Sequence, residues 1–305
     1  VKKGPIICIG AALIDETYHS QVPIITGTSN PSNYSRSAGG VARNIASLLA
    51  QLGHTVELIS HFGLDNDGEW LIKNCRENNI GVNHSIRNAF ASGRFMALLQ
   101  PNGELHSGAA VSCLEQCLTI DFLESKRTFL SKASLLLLDC NVNEESLHWL
   151  IAFAAANYIP CIAEPVSVEK SKRLINCPLD KLLMMSPNEA EIKAITACSN
   201  TNSAVHHLLQ KGIQFVWMRE GKMGSQLYSK EQHWQLNAPS IQVKDSTGAG
   251  DAALAGWIYA WIKGHSIPEC QQYGHTLAGL ILQVSGATIP DLSPHILEIA
   301  YEHYA

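Results

Sequence analysis

No Cys-x-x-Cys pair occurs in this chain, although it carries nine cysteines in 305 residues. Cys113 and Cys117 come nearest, at helical spacing. A scattered, odd-numbered set is poor material for a disulfide framework or a zinc site. It reads as reduced thiols filling the core of a cytoplasmic protein. No run of Lys or Arg stands out and the formal net charge is -5, which argues against nucleic acid or an anionic membrane as the main partner. Apolar stretches such as Ala252 to Ile262 fall far short of the ~20 residues that span a bilayer. The opening Val1-Lys2-Lys3-Gly4 leads toward a strand without a secretory apolar region. Gly-x4-Gly-Lys-Ser/Thr is absent, which disfavours a P-loop kinase. Histidine is plentiful, but His206 and His207 are adjacent, so on a helix they point apart and read as surface residues.

What is present is a globular composition, 46% hydrophobic and 16% charged, with a rhythm of strand and helix. Short apolar runs read as buried strands: Pro5 to Gly10, Val56 to Ser60, Leu135 to Asp139, Cys161 to Ala163, Leu182 to Met185 and Phe215 to Met218. Helical stretches lie between them, at Val41 to Leu52, Glu69 to Asn79 and Glu144 to Ala156. Fully apolar strands alternating with helices predict a mostly parallel sheet covered on both faces, a three-layer α/β/α domain over residues 1–305. Two stretches, about 16–38 and 92–110, break the rhythm with alternating residues and turns. Asn102-Gly103 is a hairpin signal. These inserts predict a small antiparallel sheet projecting from the body.

The most informative run is Asp245-Ser246-Thr247-Gly248-Ala249-Gly250-Asp251. It lies between a strand-like segment, Ile241 to Lys244, and an apolar helical run from Ala252. A Gly-Ala-Gly turn opening a helix leaves backbone N–H groups unpaired at the positive end of the helix dipole, which suits a phosphoryl group. Asp251 could take a proton from a hydroxyl beside that anion, or could simply cap the helix.

Continued through Ala252-Ala253-Leu254-Ala255-Gly256, this string closely resembles the C-terminal signature of the ribokinase-like (PfkB) sugar and nucleoside kinases. The resemblance implies that Asp251 is the catalytic base and that amides at Gly248, Ala249 and Gly250 form an anion hole. Gly39-Gly40-Val41-Ala42-Arg43-Asn44-Ile45-Ala46 resembles the N-terminal signature. There Gly39, Gly40 and Asn44 face the sugar, and Asp15 matches the carboxylate that binds its hydroxyls. Ser186-Pro187-Asn188-Glu189-Ala190-Glu191 would serve as a helix start by itself. It also fits the family's Asn-x-x-Glu motif, which implies that Asn188 and Glu191 arrange Mg2+ and its waters around ATP. Arg219-Glu220-Gly221-Lys222-Met223-Gly224 occupies the place of the nucleotide-edge loop. Arg219 stands where Thr or Lys is common, and Arg219, Gly221, Lys222, Gly224 and Thr247 are the nucleotide candidates. The resemblance further implies a monovalent cation, K+, near Asp245, Thr247 and Gly286. It also makes the small sheet a lid over the sugar and a homodimer surface.

Within that family, four segments resemble the pseudouridine kinases: Thr28-Ser29-Asn30-Pro31, the Gly39 helix start, Leu138-Asp139-Cys140-Asn141 and Glu164-Pro165-Val166-Ser167. The implied reaction is ATP-dependent phosphorylation of the pseudouridine 5′-hydroxyl, with Asn30, Asp139 and Asn141 near the base. Two residues depart from the pattern. Glu164 replaces Asp, which would shift any contact to metal waters. Leu13 replaces an Asn that could bond substrate. Ribose, another nucleoside or a keto-sugar acid stays open as the acceptor, as does a nucleoside sensor without turnover.

Overall fold

Each apolar run from Ile6 to Phe215 has to hide two faces, and sheet formation between helical layers does so. A computed structural model describes residues 2–304, with Val1 and Ala305 outside the described residues. The main sheet has nine strands, in the order His233–Leu236, Ser225–Tyr228, Phe215–Arg219, Met184–Met185, Cys161–Glu164, Leu135–Asp139, Ile6–Ile9, Val56–Ile59 and Ile80–Gly81. From Phe215–Arg219 onward all neighbours are parallel, and the first two strands pair antiparallel at the edge. Ile6 and Cys8 enter one core layer while Ile7 and Ile9 enter the other, the period-2 signature of a strand covered on both faces. Helices Val41–Gln51, Asn66–Glu77, Ala249–Lys263 and Ile267–Leu282 build the first layer. Helices Glu144–Ala156, Glu189–Thr196 and Thr201–Gln210 build the second. The result is the expected three-layer α/β/α arrangement. Among the described residues no helix is long and apolar enough to cross a membrane.

The site follows from the strand order. The chain enters at Ile6–Ile9, adds Val56–Ile59 on one side, and later adds Leu135–Asp139 on the other. The order reverses there, which puts a topological switch point at the C-terminal edge of the sheet, where Ile9 pairs opposite Leu138. That is where open α/β sheets hold ligands.

Three local expectations need correction. Ile241 to Lys244 is not a strand. Val243 is exposed, and Lys244 N–H donates to Leu282 O at 2.8 Å, so the segment is an irregular strap beside a helix end. Leu182 and Leu183 also stay outside the strand, which is only Met184–Met185. The small sheet, ordered Ser32–Gly39, Leu13–Ser20, Gly93–Leu99 and Leu105–Val111, is not wholly antiparallel. Its outer pairs are antiparallel, but the central pair is parallel, with Leu13 opposite Gly93. Both inserts leave the body at one rim and run outward together, which forces that direction. Asn102-Gly103 does form the turn, closed by Gln100 N–H to Glu104 O at 2.8 Å. Arg36 and Arg94, from two strands of this sheet, both bind Asp67 at the start of helix Asn66–Glu77 and pin the sheet to the body.

Candidate active site

Helix Ala249–Lys263 begins behind Gly248, which has φ 77°, and no side chain caps it. A Cβ at Gly248 would stand 2.8 Å from that of Ala287, so both conformation and space call for glycine. The first amides of the helix therefore face the crevice side without intrahelical partners. Ala249 N–H makes only a long 3.3 Å bond to Ser246 O. Asp251 is the third residue of the helix, so it is not the cap. It accepts a hydrogen bond from Asn44 Nδ2 at 2.9 Å.

Asn44 lies in the first turn of helix Val41–Gln51, behind Gly40 at φ 100°, and is buried rather than solvated. Asp15 pairs opposite Ser37 at the root of the small sheet, and its carboxylate lies against Gly39, where no Cβ would fit. The fold thus gathers Asp15, Gly39, Gly40, Asn44 and Asp251 from three segments of the chain. Burial pushes Asp251 up to about 6. The Asn44 hydrogen bond and the Arg219 charge pull it down, and the Asp139 and Asp15 charges push it further up. Burial also pushes Asp15 up to about 6, against the charge of Arg43.

Three expected substrate contacts are placed otherwise. Asp139 is fully buried, and its oxygens accept from Ala11 N–H at 2.9 Å, Ala42 N–H at 3.0 Å and Asn141 N–H at 2.9 Å. It ties the crevice loops together and presents no free oxygen to a ligand. Asn30 uses its amide within its own loop, accepting from Ile25 N–H at 2.9 Å and donating to Ile25 O at 3.1 Å. That loop lies beyond the Ser20–Ser32 end of the hairpin, about 17 Å along the strand from Asp15 at 3.4 Å per residue. Asn141 is buried and its Oδ1 is taken by Lys170 Nζ.

A cleft of about 740 Å³ runs beside the helix start, lined by Trp217, Lys222, Gly224, Ile241, Ala249 and Ala253 among others. A smaller cavity of about 310 Å³ adjoins it, lined by Glu164, Asn188, Glu191 and Asp251. Arg219, Gly221 and Gly250 belong to both. A mostly apolar, nucleotide-sized cleft therefore opens into a small acidic chamber at an uncapped helix N-terminus.

Asn188 and Glu191 form a capping box, with Glu191 N–H to Asn188 Oδ1 at 3.0 Å and Asn188 N–H to Glu191 Oε2 at 2.9 Å. Arg219 is not a free phosphate ligand. It donates to Glu164 Oε1 at 2.7 Å and lies 3.7 Å from Glu191 Oε2. Glu164, one of the departures from the expected pattern, and Arg219, which stands where Thr or Lys is common, are thus one ion pair, and the longer Glu reaches the guanidinium. Burial pushes Glu164 up to about 7, with Arg219 opposing. Its Oε2 is buried without a partner. That open acceptor beside Glu191 suits a hard cation held by few protein oxygens. Asp245 accepts from Thr247 N–H at 2.9 Å and Gly286 N–H at 2.8 Å, which joins the two loops expected near a monovalent cation.

Sequence reasoning missed other residues here. Val166 has φ 71° in a tight turn closed by Ser167 N–H to Pro165 O at 2.8 Å. A β-branched residue there is strained, and it lines the acidic chamber. In the cleft floor, Ser225 Oγ accepts from Trp217 Nε1 at 2.8 Å and Gln271 Nε2 at 3.0 Å. Its own hydrogen must then go to His275 Nε2 at 2.7 Å, leaving Nδ1–H for Asn237 O at 3.2 Å. Burial lowers His275 to about 4, so the ring is neutral at physiological pH.

The chain matches the family model for pfkB family carbohydrate kinases over residues 4–294. It is 28% identical to an uncharacterized sugar kinase, YeiI, of Escherichia coli (strain K12), covering 94% of this chain and 80% of the relative. It is 27% identical to the pseudouridine kinase of the same strain, covering 96% and 95%. Arabidopsis thaliana ribokinase, solved with ribose and ATP, superposes with a TM-score of 0.82 at 21% identity, over 98% of this chain and 99% of that one, and shares the fold.

Proposed function

This chain belongs to the pfkB family of carbohydrate kinases, and on that footing we propose that its acceptor is pseudouridine, phosphorylated by ATP on the ribose 5′-hydroxyl. The observation that carries the reading is Asp251. It sits at an uncapped helix start, is held by Asn44, and lines the acidic chamber next to Gly250, which also lines the nucleotide-sized cleft. Asp251 accepts the proton of the attacking hydroxyl, and amides at Gly248, Ala249 and Gly250 stabilise charge on the transferring phosphoryl group. Asp15, Gly39, Gly40 and Asn44 hold the ribose. The cleft takes ATP, with Gly221, Gly224 and Lys222 along its edge and Thr247 at the loop before the helix.

Glu191, Asn188 and Glu164 would hold Mg2+, largely through water, and the bound ion would neutralise phosphate charge. Asp245, Thr247 and Gly286 would hold a monovalent cation. The small sheet acts as a lid, and Tyr34, Leu105 and Val111, exposed on it, offer an apolar surface for a second copy of the chain. Relatives named for pseudouridine phosphorylation at 27% and 32% identity support the acceptor. Leu13 weakens the pseudouridine reading, because its apolar side chain packs against the core and offers substrate no hydrogen bond where an Asn is expected, which leaves ribose, another nucleoside or a keto-sugar acid as rival acceptors.

Pseudouridine differs from uridine by a C-glycosidic bond and a free N1–H, and a buried acceptor matched to that donor discriminates strongly. We expect kcat/KM for pseudouridine to exceed those for uridine and ribose by at least about tenfold, or roughly 1.4 kcal/mol. Steady-state assays over pseudouridine, uridine, adenosine and ribose with ATP and Mg2+ measure this. Ribose or adenosine turning over fastest would leave the kinase standing and remove pseudouridine.

A further inference from the structure

Arg43 is the one charged residue in the run Val41 to Ala50, and it is 1% exposed. Its guanidinium donates from NH1 to Ala38 O at 3.1 Å and to Asn44 Oδ1 at 3.2 Å, and from NH2 to Asn74 Oδ1 at 2.7 Å. Arginine has donors only, so the Asn44 atom facing it must be the carbonyl oxygen. The other end of the amide, the NH2, is then fixed toward Asp251, where it donates at 2.9 Å. A flipped Asn44 would set an oxygen against an ionised carboxylate. It would also leave the Arg43 contact as donor against donor.

We propose that Arg43 is a positioning residue for phosphoryl transfer, acting through Asn44 to aim the Asp251 carboxylate at the acceptor hydroxyl. The inference rests on the reading of Asp251 as base. The chain Asn74–Arg43–Asn44–Asp251 runs from helix Asn66–Glu77, through the start of helix Val41–Gln51, to the start of helix Ala249–Lys263. Each link is a directional hydrogen bond between side chains, so rotation at Arg43 or Asn44 is transmitted to Asp251. Arg43 also stands near Asp15, whose carboxylate its charge favours. One buried cation thereby serves both the sugar-binding carboxylate and the base, without touching the substrate. Such placement by locked neighbours is how a base keeps a productive geometry.

The test is a double-mutant cycle on kcat with folded, purified enzyme. Arg43→Met removes every donor and is expected to lower kcat roughly tenfold or more, with KM for ATP within about twofold. In an Asn44→Ala background the same change should cost less than about twofold, because the amide through which Arg43 acts is gone. Asn74→Ala, which removes one half-buried partner of Arg43 but leaves its contacts to Ala38 O and Asn44 Oδ1, should lower kcat by less than Arg43→Met does. If Arg43→Met loses only stability, or if its kinetic cost is the same with and without Asn44, the residue is structural and the inference falls. Should Arg43→Met fail to fold, Arg43→Lys is read in the same cycle. A partial loss of kcat that vanishes with Asn44→Ala supports the inference, and full wild-type kcat overturns it. Asp251→Asn run alongside separates the two layers. Normal turnover there removes the base itself, whereas an inactive Asp251→Asn with normal Arg43 variants removes only the role of Arg43.

Discussion

Asp251→Asn is expected to lower kcat by roughly 10²–10⁴-fold while leaving the fold intact, the usual worth of a general base. Asparagine keeps the size of the side chain and an oxygen that can still accept from Asn44 Nδ2, so circular dichroism and thermal unfolding should change little. The pH profile adds a sign. Burial first, then the Asp139 and Asp15 charges, push the carboxyl up to about 6. A base is lost when it takes a proton, so kcat/KM should be flat above that value. It should fall about tenfold per pH unit below it. The Asp251 part of that limb should be absent from whatever activity remains in Asp251→Asn, leaving the titration of Asp15 and Glu164, pushed up to about 6 and about 7. A folded variant with near-normal turnover would remove Asp251 from the mechanism.

The second large effect is on stability. Glu164 and Arg219 are paired at 2.7 Å with side chains 4% and 19% exposed. Arg219→Met strands a carboxylate in the core and should cost about 3–5 kcal/mol in denaturant unfolding. Adding Glu164→Met should recover much of that loss, since the isolated charge is then gone. Losses that simply add would mean the two residues are independent and that their joint departure from the family pattern has no physical link.

That pair marks the limit of what the chain discloses one segment at a time. Six strands of the sheet were legible because each carries its own evidence, a short apolar run, whereas Ile80–Gly81, Ser225–Tyr228 and His233–Leu236 at the two edges have no such run. Asp245 to Asp251 was legible because turn, helix start and carboxylate are contiguous. Glu164 and Arg219 are 55 positions apart, and nothing local in either segment announces the other. Asp139 misled for a related reason. An acid at a strand end looks like a ligand group until three backbone N–H donors from separate loops are seen around it. Asn30 looked available because its partners are backbone groups, which sequence does not display. Arg43 had a readable signal, a lone charge on an apolar helix, but its meaning depends on Asn74 and Asp251 arriving from other helices.

The most direct measurement is phosphorus NMR of the product formed from ATP, Mg2+ and pseudouridine. The account predicts a single phosphate monoester whose phosphorus couples to the two 5′ protons of the ribose, formed by the wild-type chain and not by Asp251→Asn. A product phosphorylated at another hydroxyl, or no transfer to pseudouridine while ribose or adenosine is consumed, would contradict it.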